Sequence, residues 1–254
     1  MSEFIFYEND DYIIAKKPNG LLSEEDPVGS RNLRQILEEY IQTTYPWKKQ
    51  LICQLTNRLD KPVGGLLICA KKQSILKDLQ QKFYLRKIDK FYFAIVKGIP
   101  AKKQGHLQNY LVKSSSEFKA LPATENTPNA KLARLNYKCI ASNDKYSLLL
   151  IQLQTGKFHQ IRFQFSQLGH PIWNDEWYGA KRTTSDLRIG LFSFYLGFEE
   201  PNTGVFKEFK LAPPDVEPWT MFAKEIGEVI ELDILGVMKN RPPTIDHRPP
   251  TADH

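Results

Sequence analysis

The sequence predicts an α+β fold, with a mixed, mainly antiparallel sheet and flanking helices. Three observations carry that prediction. Segments with the two-residue alternation of strands outnumber those with helical spacing. The strands follow one another through turns or single helices rather than in regular βαβ repeats. Finally, two strong turn signals, Asn9-Asp10-Asp11 and Pro201-Asn202-Thr203-Gly204, each separate a pair of strand-like runs.

Phe4 to Tyr7 and Tyr12 to Ala15 form the opening hairpin, which Lys17-Pro18-Asn19-Gly20 ends. Leu33, Ile36, Leu37, Tyr40 and Ile41 keep the spacing of an amphipathic helix, as do Ile75, Leu76, Leu79 and Phe83 on a second segment. Between them Gly64-Gly65 leads into the short apolar strand Leu66 to Ala70. Phe91 to Val96, Leu132 to Ile140 and Ser147 to Gln154 carry β-branched or aromatic alternation, and the polar stretch Ser114 to Asn129 reads as a long loop or insertion. Straight after Thr155-Gly156, the residues Phe158, Ile161, Phe165 and Leu168 predict a helix whose other face carries His159, Gln160 and Arg162. Ile189 to Phe198 and Val205 to Leu211 close the fold as a second hairpin.

Composition narrows the class. A chain of 254 residues that is 41% hydrophobic can bury a sizeable core, which excludes wholesale disorder. Thirty-five Lys and Arg against 29 Asp and Glu leave a net charge of +6, which favours polyanionic partners without choosing between nucleic acid and an anionic surface. Cys53, Cys69 and Cys139 are far apart and form no Cys-x-x-Cys pair or His cluster, so free thiols in a reducing compartment are expected rather than a metal site or disulfides. The longest purely aliphatic run is Leu148 to Ile151, and the N-terminus lacks a basic region followed by an apolar core. A cytoplasmic location without a membrane span is therefore expected. Neither the dinucleotide nor the P-loop glycine fingerprint occurs.

Three segments carry chemistry. In Asn57-Arg58-Leu59-Asp60-Lys61-Pro62-Val63-Gly64-Gly65-Leu66, a carboxylate lies between basic residues in a stretch that Pro62 and the glycines keep irregular. Nearby cations hold such an Asp ionised, which suits a nucleophile or an electrostatic stabiliser; a turn or capping role is the alternative. In Lys90 to Gly98, alternation sets Phe91, Phe93 and Ile95 on one face and Tyr92, Ala94 and Val96 on the other. Tyr92 thus has a small neighbour and could stack on a base, or serve as a core residue with its hydroxyl at the rim. In Thr155 to Arg162, Lys157, His159 and Arg162 gather at a helix start, where amides and basic side chains suit a phosphate or carboxylate, or simply face solvent.

Taken together, these segments resemble the RluA-type family of RNA pseudouridine synthases. That family's pattern runs His-Arg-Leu-Asp-x-x-x-Ser-Gly-Leu, Lys-x-Tyr-x-Ala-x-Val-x-Gly and Thr-Gly-Arg-x-His-Gln-Ile-Arg, in this order and spacing. The resemblance extends to Tyr12 to Leu22, Leu168 to Ile172, Asp175, Tyr178-Gly179, Arg188 to Leu191 and Ala212-Pro213, and so runs from about Phe4 to Pro214. Five positions depart from it: Asn57 replaces His, Gly64 replaces Ser, Lys157 replaces Arg, Asn174 replaces Gly, and Phe192 stands where His is usual. Lys157 keeps the charge but loses the planar fork of Arg. No counterpart of the family's frequent N-terminal S4 domain is expected, since the catalytic pattern begins at once.

The resemblance implies a pseudouridine synthase fold and a domain plan. A catalytic domain would span 1–220, with a C-terminal extension over 221–239. Residues 240–254 would form a disordered tail, because Arg241 to His247 is repeated almost unchanged as Arg248 to His254 and paired prolines cannot build a core. It also implies isomerisation of uridines in structured RNA, transfer or ribosomal, with no cofactor, no metal and no obligate protein partner. Asp60 would be the catalytic carboxylate, as nucleophile or as base at the ribose, and Arg162 would pair with it. Tyr92 would stack on the flipped uracil, and Leu191 would wall it in. Arg58 would fill the vacated place in the RNA, and Lys157, His159 and Gln160 would contact the substrate. A glycoside or nucleoside hydrolase would need a second carboxylate, and none lies within the three segments. An RNA-binding homologue without catalysis is opposed by the joint presence of Asp60, Tyr92 and Arg162.

Overall fold

The structure, a computed structural model, describes residues 1–238; the tandem-heptad segment expected to be disordered, 240–254, lies outside the described residues. The chain begins with a hairpin of β1 (Ile5–Glu8) and β2 (Tyr12–Lys17). Its turn is set by Asn9, whose side-chain oxygen accepts from the amides of Asp11 and Tyr12 at 2.9 Å each. Helix α1 (Leu33–Thr44) starts at Asn32, whose side chain caps the amide of Gln35 at 3.1 Å, and it buries Leu33, Ile36, Leu37 and Ile41 as the spacing predicts. The order continues with β3 (Gln54–Leu55), β4 (Gly64–Ala70), α2 (Gln73–Tyr84), β5 (Asp89–Lys97), β6 (Gln104–Lys113), β7 (Ala120–Ala123), β8 (Lys131–Ser142) and β9 (Tyr146–Leu153). Helix α3 (Gln160–Gln167) then precedes β10 (Leu191–Glu199), β11 (Phe206–Lys210), α4 (Ala223–Glu231) and α5 (Ile234–Val237).

The strands form one mixed sheet in the order β1-β2-β4-β10-β5-β9-β8-β6-β7, with β11 on β10 and β3 on β4. Among the described pairings only β4 with β10 is parallel, through Phe192 opposite Gly64 and Ser193 opposite Gly65. This bears out the expected α+β class. On one face α1 and α3 cover a core that includes Ala15, Leu67, Tyr92, Ala94 and Ile151. On the other, α2 packs on Ile14, Leu66 and Ile68, while α4 and α5 bring Ile226, Val229 and Ile234 against Phe91, Phe93 and Phe194. The alternation along β5 therefore divides as expected, with Tyr92 and Ala94 on the α1/α3 side.

One expectation needs correction. The stretch Ser114 to Asn129 is not all loop, because β7 within it pairs with β6 from Tyr110–Ala123 to Lys113–Ala120. Nor did alternation reveal β6, which is exposed or half-buried almost throughout and lies near the sheet edge, where no apolar face is required. No described helix is long and apolar enough to cross a membrane.

Candidate active site

Asp60 lies in the loop between β3 and β4. The loop enters the protein because apolar residues flank the carboxylate, Leu59 and Val63 being buried against Leu67 and Tyr92. Other segments then hold its backbone. Ser23 Oγ donates to the Leu59 carbonyl at 2.8 Å and accepts from the Leu59 amide at 3.1 Å. The Gly20 amide reaches the Lys61 carbonyl at 2.8 Å, and Asn19 Nδ2 reaches the Pro62 carbonyl at 2.7 Å. The Lys17 ammonium, fully buried, donates to the carbonyls of Leu21 (2.6 Å), Pro18 (3.0 Å) and Lys61 (3.3 Å). Burial pushes this lysine down to about 7, and the charge of Asp60 pulls it back up. Asn57, where the resembled pattern has His, accepts from the Ile68 amide at 3.1 Å and ties the loop to β4.

The loop then meets β10 with no side chain between. Gly65 has φ +128°, and a Cβ there would come within 2.2 Å of the Ser193 carbonyl, so only glycine fits. At Gly64 a Cβ would lie 3.1 Å from both the Phe192 ring and Asn19 Oδ1. Two of the departures from the resembled pattern, Gly64 and Phe192, are thus in contact, and the aromatic ring takes up space beside the missing side chain.

Arg162, on α3 and 102 residues away in sequence, donates from Nη1 to Asp60 Oδ2 at 3.1 Å. The remainder of its guanidinium is held by Asp175, from Nε to Oδ2 at 2.7 Å and from Nη2 to Oδ1 at 2.8 Å. Such a fork fixes the plane of the guanidinium and aims Nη1 at Asp60. Burial works against the Arg162 charge, but Asp175 and then Asp60 outweigh it and hold the group protonated. Asp175 was named in the sequence only as part of the resemblance and given no role. It is a second carboxylate near Asp60, yet it is buried and both its oxygens accept from Arg162. Asp60 remains about a quarter exposed.

His159 precedes α3 in left-handed backbone, φ 51°. Its ring stacks on Phe158 at 3.8 Å, Nδ1 lies 2.9 Å from the Tyr178 hydroxyl, and Nε2 lies 3.6 Å from Asp60 Oδ2. The Tyr178 oxygen also accepts the Ala120 amide at 2.8 Å, so the phenol ties the imidazole to β7. Burial pushes His159 down to about 4 against the pull of Asp60, leaving a neutral imidazole near pH 7. Tyr92 is buried on the same side of the sheet; burial first, and the charge of Asp60 in addition, push its phenol up to about 12. Leu191 is buried in the cluster that holds Tyr92 and Val63.

Three sequence-nominated residues stand apart from this group. Arg58 points outward, three-quarters exposed, with Glu24 at 3.4 Å. Lys157 does not join His159 and Arg162; burial and the charges of Lys131 and Arg86 lower its proton affinity. Gln160 has no hydrogen-bonding capacity left for a substrate. Its oxygen accepts from Thr155 Oγ1 and the Lys157 amide, and its nitrogen donates to the Arg134 carbonyl and Gln164, so it braces the turn into α3. A groove of about 660 Å³ lined by residues including Lys16, Asn19, Arg188 and Phe192 adjoins the Asp60 loop, but Asp60 is not among its lining residues.

The fold recurs in known proteins. Two human structures, RNA Pseudouridylate Synthase Domain Containing 4 and 1, superpose with TM-scores of 0.69 and 0.64. They cover 89% and 84% of this chain and 92% and 84% of theirs, at 20% and 21% identity, a likeness of fold. An uncharacterized RNA pseudouridine synthase of Aquifex aeolicus is 28% identical over 222 residues, 83% of this chain and 69% of its own length. The ribosomal large subunit pseudouridine synthase D of Borreliella burgdorferi is 32% identical over 212 residues, 81% of this chain and 63% of its own. The family model described as RNA pseudouridylate synthase matches residues 11–167, a span from the opening hairpin through Asp60 and Tyr92 to the end of α3, and the chain belongs to that family.

Proposed function

We propose that this chain isomerises uridines in RNA to pseudouridine with Asp60 as the catalytic carboxylate. The observation that supports this most is the relay Asp175–Arg162–Asp60, in which a buried, fully paired carboxylate orients a guanidinium toward a partly exposed one. The reaction breaks the bond from ribose C1′ to uracil N1, turns the uracil in place and joins C1′ to C5. The proton leaves C5 and N1 gains one, so the product is an isomer and nothing is oxidised or reduced. Asp60 serves as nucleophile at C1′ or as base at the ribose, and either task uses the carboxylate that Arg162 steadies. The Tyr92 phenol, protonated at neutral pH, offers its ring to the uracil, and Leu191 closes the apolar wall.

A uridine inside a stem must leave the stack first, at a cost of a few kcal/mol. Arg58, exposed two residues before Asp60, would occupy the vacated position, and its exposure supports that role. A Borreliella relative is named for the ribosomal large subunit, which makes that RNA the first to map, with transfer RNA as the second; a cytoplasmic enzyme would meet either. The test is Asp60→Asn. The amide keeps the shape and loses the charge, so the variant should bind RNA as the parent does and form no pseudouridine. Parental turnover in the purified variant removes the proposal.

A further inference from the structure

We propose that Trp177 is a stacking platform for a nucleobase flanking the target uridine, an inference that rests on the RNA-modifying reading of the Asp60 site. Of the four tryptophans, Trp173 and Trp219 are buried at 2% exposure, while Trp47 and Trp177 are exposed at 71% and 51%, and of these two it is Trp177 that touches His159 and Arg162. It sits in the single turn Glu176–Tyr178, and both neighbouring anchors of that turn belong to the site. Asp175 clamps Arg162, and the Tyr178 hydroxyl joins His159 to the Ala120 amide. The indole is therefore presented from a pinned backbone, with little ordering left to do on binding.

Its surroundings suit a nucleotide. The ring stands edge-on to His159 at 5.9 Å, and the Arg162 guanidinium carbon lies 5.8 Å from its centre. Along the same rim Phe158 stacks on His159, and the Lys113 ammonium lies 4.8 Å from the Phe158 ring. An aromatic face beside cations is the combination that holds a base and its phosphate. Arg162 also decides which base this is. Its Nη1 donates to Asp60 at 3.1 Å while the same guanidinium lies 5.8 Å from the indole centre, so one side chain links Trp177 to the carboxylate. A base on Trp177 is therefore a neighbour of the nucleotide that reacts at Asp60, not that nucleotide itself.

The test uses the full chain carrying Asp60→Asn, so that binding is read without turnover. The probe is a short single-stranded RNA containing the mapped uridine, and two further RNAs that are abasic at its 5′ or 3′ neighbour. Trp177→Ala should weaken binding of the intact RNA about 5- to 100-fold, the range for losing one base–aromatic stack, while Trp177→Phe stays within about threefold. One abasic RNA should bind the parent more weakly by a similar factor, and that loss should vanish in Trp177→Ala. The proposal is overturned if Trp177→Ala binds like the parent, or if both abasic losses persist in it unchanged. Absence of pseudouridine with the wild-type enzyme overturns the reading of the site itself; loss of the coupling alone overturns only the platform.

Discussion

Asp175 and Arg162 form the pair on which the site's geometry depends, both being at least 96% buried at their side chains. Leaving a guanidinium buried with half of its partner removed is expensive, typically about 3–5 kcal/mol. Asp175→Asn should therefore lower stability in denaturant by that order. Because Nη1 loses its aim at Asp60, the single-turnover rate should fall about a hundredfold, the scale of a 1 Å misplacement, with little change in KM. A parental rate would show that Arg162 needs no such clamp. A second pair is testable by a cycle. Gly64→Ser places an atom 3.1 Å from the Phe192 ring and should cost about 1–3 kcal/mol by overpacking, and Phe192→His in the same chain should return part of it. A coupling below about 0.5 kcal/mol in thermal or denaturant unfolding would mean that the two departures from the family pattern are independent.

The turn into α3 makes a pH-dependent contribution. His159 titrates near 6.5 when unfolded, while burial lowers it to about 4 in the fold. Between those values the unfolded chain binds a proton that the folded one refuses. Stability is then full above about pH 6.5 and falls as pH drops toward 4, by up to about 3 kcal/mol. Unfolding free energies measured from pH 7.5 to 4 should show this slope, and His159→Asn should flatten it. An equal slope in the variant would assign the acid sensitivity to other groups. The same turn shows how far elements were legible. The helix itself followed from Ile161 and Phe165, both buried as the spacing implies. The direction of its polar residues did not, because Gln160 and Arg162 are as buried as the apolar ones and each is satisfied by partners from other strands and loops.

The sheet is continuous through the site. β4, β10 and β5 are neighbours, and they carry or adjoin the Asp60 loop, Leu191 and Tyr92. Its far face is covered by α4 and α5, in the described part of the segment 221–239 that the sequence set apart as an extension; Ile226, Val229 and Ile234 lie in the same core cluster as Phe93 and Phe194. Ile234→Ala should cost about 2–5 kcal/mol through the lost burial and the remaining cavity, and should lower Tm while leaving KM for RNA unchanged. A Tm equal to the parent's would show that this segment is not part of the cooperative core.

From the sequence alone came the elements whose apolar run or helical spacing burial imposes: the opening hairpin, α1, α2, β5, β9 and the β10–β11 hairpin. Its motifs also identified Asp60, Tyr92 and Arg162 as a set, because order and spacing along the chain are enough for that. Only the tertiary structure decided what those residues touch. Asp60 and Arg162 meet across 102 positions, and whether a polar side chain serves a substrate or the fold depends on which groups arrive beside it. Asp175, Tyr178 and Lys17 became supports of the site in this way, Gln160 became a brace, and Lys157 turned toward other cations. β6 and β7 were hidden for the opposite reason, since a hairpin near the sheet edge that buries only Leu111 and Ala120 carries no periodic apolar signal.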